Sequence, residues 1–119
     1  MELIISILVL LIALEHFYFL YLEMFLWTKK AGQKTFGHSK QDAEKTKVLA
    51  ANQGLYNGFL AAGLIWGFFH PNSEFSLQII LFFLGCIIIA GVYGAVTAKK
   101  TILYIQALPA FITAILVLL

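Results

Sequence analysis

Four long apolar stretches, at 3–27, 48–69, 77–98 and 101–119, alternate with short polar ones along this 119-residue chain. Each reaches or approaches the ~20 residues that a helix needs to cross the hydrocarbon core of a bilayer. The connections cover 28–47, 70–76 and 99–100. Connections this short join antiparallel neighbours. The pattern predicts an all-α membrane protein: one domain over 1–119, folded as a four-transmembrane-helix antiparallel bundle. Ser39 followed by Asp42 resembles a capping box, so the second helix is expected to start near Lys40 and run to residue 69. The expected helices are then about 3–27, 40–69, 77–98 and 101–119. Gly32, Phe36 and Gly37 mark the middle of the first loop as a turn region. The first stretch reads as a retained span rather than a signal peptide. Glu2 is the only charged side chain before it, and no small-residue cleavage site follows.

Composition moves the reading further toward the membrane. The chain is 61% hydrophobic and 12% charged, against roughly 45–50% and 25% in soluble domains. Its basic residues are all lysines: 29, 30, 34, 40, 45 and 47 in the first loop, 99 and 100 in the third. Positive residues stay on the cytosolic side. Both termini are therefore expected to be extracytoplasmic, with the first and third loops cytosolic. So one-sided a distribution also argues against insertion in both orientations. The net charge of +2 and the lack of a basic stripe with interleaved aromatics exclude a nucleic-acid partner. Cys86 is the only cysteine, so no intrachain disulfide can form. Membrane lipids are the one partner that composition requires.

Against this apolar background, "LIALEHFYFLYLEMFLW" (residues 11–27) carries Glu15, His16 and Glu23. A charged side chain at the bilayer centre costs at least ~2.5–3.5 kcal/mol, so such groups face a protein interior or a wet cavity. His16 and Glu23, seven residues apart, share a face, while Glu15 lies on another edge. At ~1.5 Å per residue, His16 and Glu15 lie about 17 Å from the cytosolic end of the first helix and Glu23 about 6 Å. The second helix places Asn52, Gln53, Tyr56 and Asn57 at about 6–14 Å, and Tyr93 and Gln106 fall in the same half of the bilayer. Four segments thus converge on one polar layer. Amides and phenols of this kind are also common as interhelical hydrogen-bond glue, and Trp27 and Trp66 suit interfacial anchors. Ionisable groups are rarer as glue. Glu15, His16 and Glu23 are therefore the candidate acid–base residues, with Asn52, Gln53, Tyr56, Asn57, Tyr93 and Gln106 as candidate ligand-binding residues. Gly54, Gly58, Ala62, Gly63 and Gly67, with Gly91 and Ala95, form small-residue faces that allow close helix approach. A homo-oligomer through those glycine-rich faces is an expected mode of assembly.

His38 and His70 are assigned to opposite ends of the bundle from each other and away from His16. No metal site and no cofactor are expected. Nucleophile-elbow, P-loop and zincin patterns are absent. Three functional classes stay open on these residues. One is an aromatic-walled pocket in the cytosolic half that binds a small lipophilic or amphipathic molecule and can convert it by acid–base chemistry. The second is a proton-coupled small-molecule transporter acting as an oligomer, with Glu15 or Glu23 carrying the proton. The third is a structural subunit of a larger membrane assembly.

Two stretches, "LEHFYFLYLEMFLW" and "KVLAANQGLYNGFLAAGLIWG", together with "GVYGAVT" and "QALPA", resemble a family of small bacterial integral membrane proteins known as a domain of unknown function. The likeness covers nearly the whole chain. It implies four transmembrane helices in the bacterial cytoplasmic membrane and brings no activity with it.

Overall fold

In α1 (Leu3–Phe25) the buried positions run Ile5, Val9, Ile12, His16 and Glu23, with Ala13 and Leu22 beside them. That is the three-and-four spacing of a single helix face. The opposite positions, Leu3, Ile7, Leu11, Leu14, Tyr18, Tyr21 and Phe25, are exposed. Both faces of α1 are thus apolar. The computed structural model describes residues 1–119 and continues through α2 (Lys30–Phe36), α3 (Lys40–Phe69), α4 (Ser73–Thr97), a π-helical turn (Leu103–Ala107) and α5 (Leu108–Leu118). There are no strands.

Two helices, α1 and α4, are long and apolar enough to cross a membrane. The longer α3 spans 30 residues, but Asn52, Gln53, Tyr56 and Asn57 interrupt its apolar stretch. The last apolar helical stretch, Leu103–Leu118, is shorter than a straight perpendicular span requires.

Three local features depart from the sequence expectations. First, the loop at 28–47 contains α2. Lys29 N–H bonds Leu26 O at 3.0 Å and starts a tight turn off the end of α1. Gly32 is buried there, and a Cβ at this position would collide with Leu26 O. Gly37 ends α2 in the left-handed conformation (φ 70°), which glycine adopts without a Cβ penalty. Second, α4 begins at Ser73 rather than at 77. The Asn72 side chain accepts from Phe75 N–H at 3.0 Å and caps the helix early. Third, the fourth apolar stretch is not a uniform α-helix. Pro109 offers no N–H, and its ring would collide with the carbonyl four residues back. Leu108 N–H instead reaches Leu103 O, one residue further than in an α-helix, and this wider turn leads into α5.

The chain divides into two compact units, Leu14–Ala61 and Met1–Ala13 with Ala62–Leu119. In the second of these, Ile80, Leu84 and Ile87 of α4 are fully buried, as are Leu64 and Ala110. Its glycines set close approaches. A Cβ on Gly63 would strike the Phe83 ring, one on Gly67 would meet Ile80 and Ile79, and one on Gly91 would lie 2.7 Å from Ala107 N. Ser76 Oγ donates to Gly67 O at 2.6 Å, joining the start of α4 to the end of α3. At Gly63, Gly67 and Gly91 the space that a side chain would take is thus filled by residues of the same chain. Gly85, by contrast, faces open space.

Candidate functional site

The Leu14–Ala61 unit is an antiparallel pairing of the second half of α1 with residues 40–61 of α3. Its rungs run in opposite sequence directions. Trp27 Nε1–H donates to Thr46 Oγ1 at 3.0 Å. Deeper in, Glu23 and Met24 lie against Gly54, and Leu20 against Gly58. Ser39 Oγ accepts from Asp42 N–H at 3.1 Å, fixing where α3 starts and hence which of its residues face α1.

Between these rungs, Asn57 Nδ2 donates to Glu23 Oε1 at 2.5 Å. Glu23 is 3% exposed and Asn57 8%. Gly54 makes the bond reachable. A side chain there would meet Met24 Cγ at 2.8 Å, Glu23 Cβ at 3.0 Å and Leu20 O at 3.2 Å. The close approach of the two backbones therefore depends on a missing Cβ. A carboxyl group has acceptor capacity at both oxygens, so Asn57 uses only a fraction of what Glu23 offers. His16, two turns below Glu23 on the same face, is fully buried and sets its ring edge-on to Phe19 at 5.3 Å. Glu15 is partly buried, on its separate edge of the helix.

Of the six residues expected to bind a ligand, Asn57 alone is brought to Glu23. Asn52 and Gln53 are exposed, and Tyr56 is 61% exposed. Asn52 Nδ2 donates to Val48 O of its own helix. Tyr93 and Gln106 belong to the other unit. Tyr93 is exposed there, on an apolar surface groove along α4 shared with Ile88, Ile89, Val92 and Val96.

A cluster at the loop end of the Leu14–Ala61 unit is absent from the sequence expectations. Trp27, expected to be an interfacial anchor, packs against His38 (4.3 Å between ring centroids) and Phe36 (4.8 Å). Both ring nitrogens of His38 are buried without a hydrogen-bond partner. The aromatic residues at 27, 36 and 38 are visible in the sequence, but only the α2 turn folds 36 and 38 back onto 27. No group of three or more metal-ligating side chains gathers anywhere in the chain.

Fold and site together define an all-helical protein with two helices of membrane-spanning length and an acid–amide pair in its helix core. The chain belongs to the family described as "Protein of unknown function (DUF1304)", which matches residues 10–118 and so includes every residue of the site described above. It is 39% identical over 102 residues to a protein of Lactococcus lactis subsp. lactis (strain IL1403) described as "Uncharacterized protein YpaA", with 84% of each chain covered. No solved structure matches the chain.

Proposed function

We propose that this is a four-span protein of the bacterial cytoplasmic membrane with both termini outside. In this reading, Glu23, His16 and Asn57 bind a small lipophilic or amphipathic molecule entering from the cytosolic half of the bilayer. The observation that carries the proposal is the occupancy of core positions. His16 and Glu23 stand where the face of α1 would otherwise continue Ile5, Val9 and Ile12, and both are almost fully buried. An apolar residue at either place would hold helices together without a desolvation cost, so ionisable groups there need another purpose. Carboxyl, imidazole and carboxamide together can hold a ligand by hydrogen bonds and move a proton to or from it. Aromatic neighbours such as Phe19 suit a ligand that partitions into lipid.

The test separates binding from folding. Glu23→Gln keeps an oxygen for Asn57 to donate to, and His16→Gln keeps a polar group of similar reach. Both variants should unfold in detergent at the wild-type midpoint or slightly above it. Native mass spectrometry of protein purified in mild detergent should show a bound small molecule on the wild type and lose it in both variants. Full retention of that molecule alongside a clear loss of stability would leave a purely structural role for the pair.

Topology is checked separately. A reporter fused after Leu119 should read as extracytoplasmic and one inserted within 29–47 as cytosolic. A cytosolic carboxyl terminus would refute the four-span arrangement and the direction of ligand entry.

A further inference from the structure

The polar residues of α3 divide between two faces. Asn57 lies on the buried side with Ala50, Gly54, Gly58 and Ala61, facing inward. Leu49, Asn52, Gln53 and Tyr56 fall within an arc of about 100° on the opposite side, and all four are exposed. Phe59 extends the arc, with its ring 5.9 Å from that of Tyr56. If α3 crosses the bilayer, as the proposed function has it, two carboxamides and a phenol point away from their own chain toward hydrocarbon. Asn52 moderates its cost by bonding Val48 O. Gln53 and Tyr56 carry donors and acceptors outward at about 8–12 Å depth, where lipid tails supply no partner.

We infer that this face is covered by a second copy of the chain, in a parallel two-fold dimer along α3. Two properties select that occupant. A carboxamide is both donor and acceptor, so Gln53 is complementary to another Gln53. The lysines give the chain a single orientation. Two copies in one membrane are therefore related by an axis along the membrane normal. Under that symmetry each residue near the axis meets its own image at the same depth. Gln53 pairs reciprocally with Gln53 of the second copy, Tyr56 donates alongside it, and Leu49 and Phe59 pack above and below. This interface is the reverse of the one that a glycine stripe would give, since Gly54 and Gly58 are already filled by α1 side chains.

The experiment uses the full chain in native membranes, with Cys86→Ser as background so that single thiols can be introduced. Gln53→Cys should form a disulfide-linked dimer on mild oxidation. Tyr21→Cys, exposed on α1 of the same unit, should form little. In proteoliposomes, single-molecule photobleaching should show that Gln53→Leu needs about tenfold higher protein density for half-dimerisation, given the usual strength of interhelical hydrogen bonds. Unchanged helix content by circular dichroism would confirm that the variant still folds. A chain that stays monomeric at every density overturns the dimer, as do equal crosslinking at 53 and 21 or capture of the position-53 thiol by another protein alone. A membrane-impermeant maleimide then separates the two readings. If the thiol at position 53 is shielded from it yet never crosslinks, the dimer falls and the span stands. If the reagent labels that thiol freely in the monomer, both fall.

Discussion

Gly54→Leu should lower the unfolding free energy by roughly 3 kcal/mol or more, the upper part of the range for overpacking. The added Cβ alone would lie 2.8 Å from Met24 Cγ and 3.2 Å from the carbonyl oxygen of Leu20. Methionine can turn aside, but a helix carbonyl cannot move without moving α1. Displacing α1 at this level also draws Glu23 away from Asn57, so a steric loss is joined by an electrostatic one. Gly58→Leu supplies the comparison. There the Cβ meets only the far end of Leu20, with Cδ1 at 2.5 Å and Cγ at 3.8 Å, and that end can change rotamer. Gly58→Leu should cost about half as much. Equilibrium unfolding in mixed micelles, followed by circular dichroism, measures both. Equal costs, or no cost at Gly54, would mean that the backbones do not approach as closely as the Glu23–Asn57 bond requires.

Asn57→Leu should destabilise by about 2 kcal/mol, because it leaves a buried carboxyl oxygen without its donor. The informative measurement is the cycle with Glu23→Leu. Removing Glu23 alone strands the Asn57 amide and should also destabilise. Replacing both residues by leucine removes both unpaired groups and should return stability to within about 1 kcal/mol of wild type. Simple additivity of the two single changes would show that the side chains are not coupled. The double variant also bears on function. In the binding reading it folds and carries no small molecule. Retention of that molecule by the stable double variant would exclude the pair from the binding site.

Much of the local structure is legible in the sequence. The three-and-four spacing of α1 puts His16 and Glu23 on one face and Glu15 on another, and burial follows that division. The Ser39–Asp42 pattern marks the start of α3, and the hydrogen bond lies there. Such features depend on the helix repeat and on contacts a few residues long, and the chain encodes them locally. The early start of α4 and the π-helical turn are also local, and Asn72 and Pro109 are their signals.

What the sequence by itself determined is the helical class, the family, and the angular relation of side chains within each helix. Only the tertiary structure decided which way each helix is turned. Asn52, Gln53, Tyr56 and Asn57 are close neighbours in sequence and all polar, yet Asn57 faces Glu23 while the other three face outward. The helix repeat gives the angles between them but not the direction of the neighbouring helix. That direction is set by Gly54 and Gly58 accepting the side chains of Leu20, Glu23 and Met24, a contact between segments some thirty residues apart in the chain. Packing against those glycines turned Asn57 inward, because a helix can place only one face against its neighbour at close range.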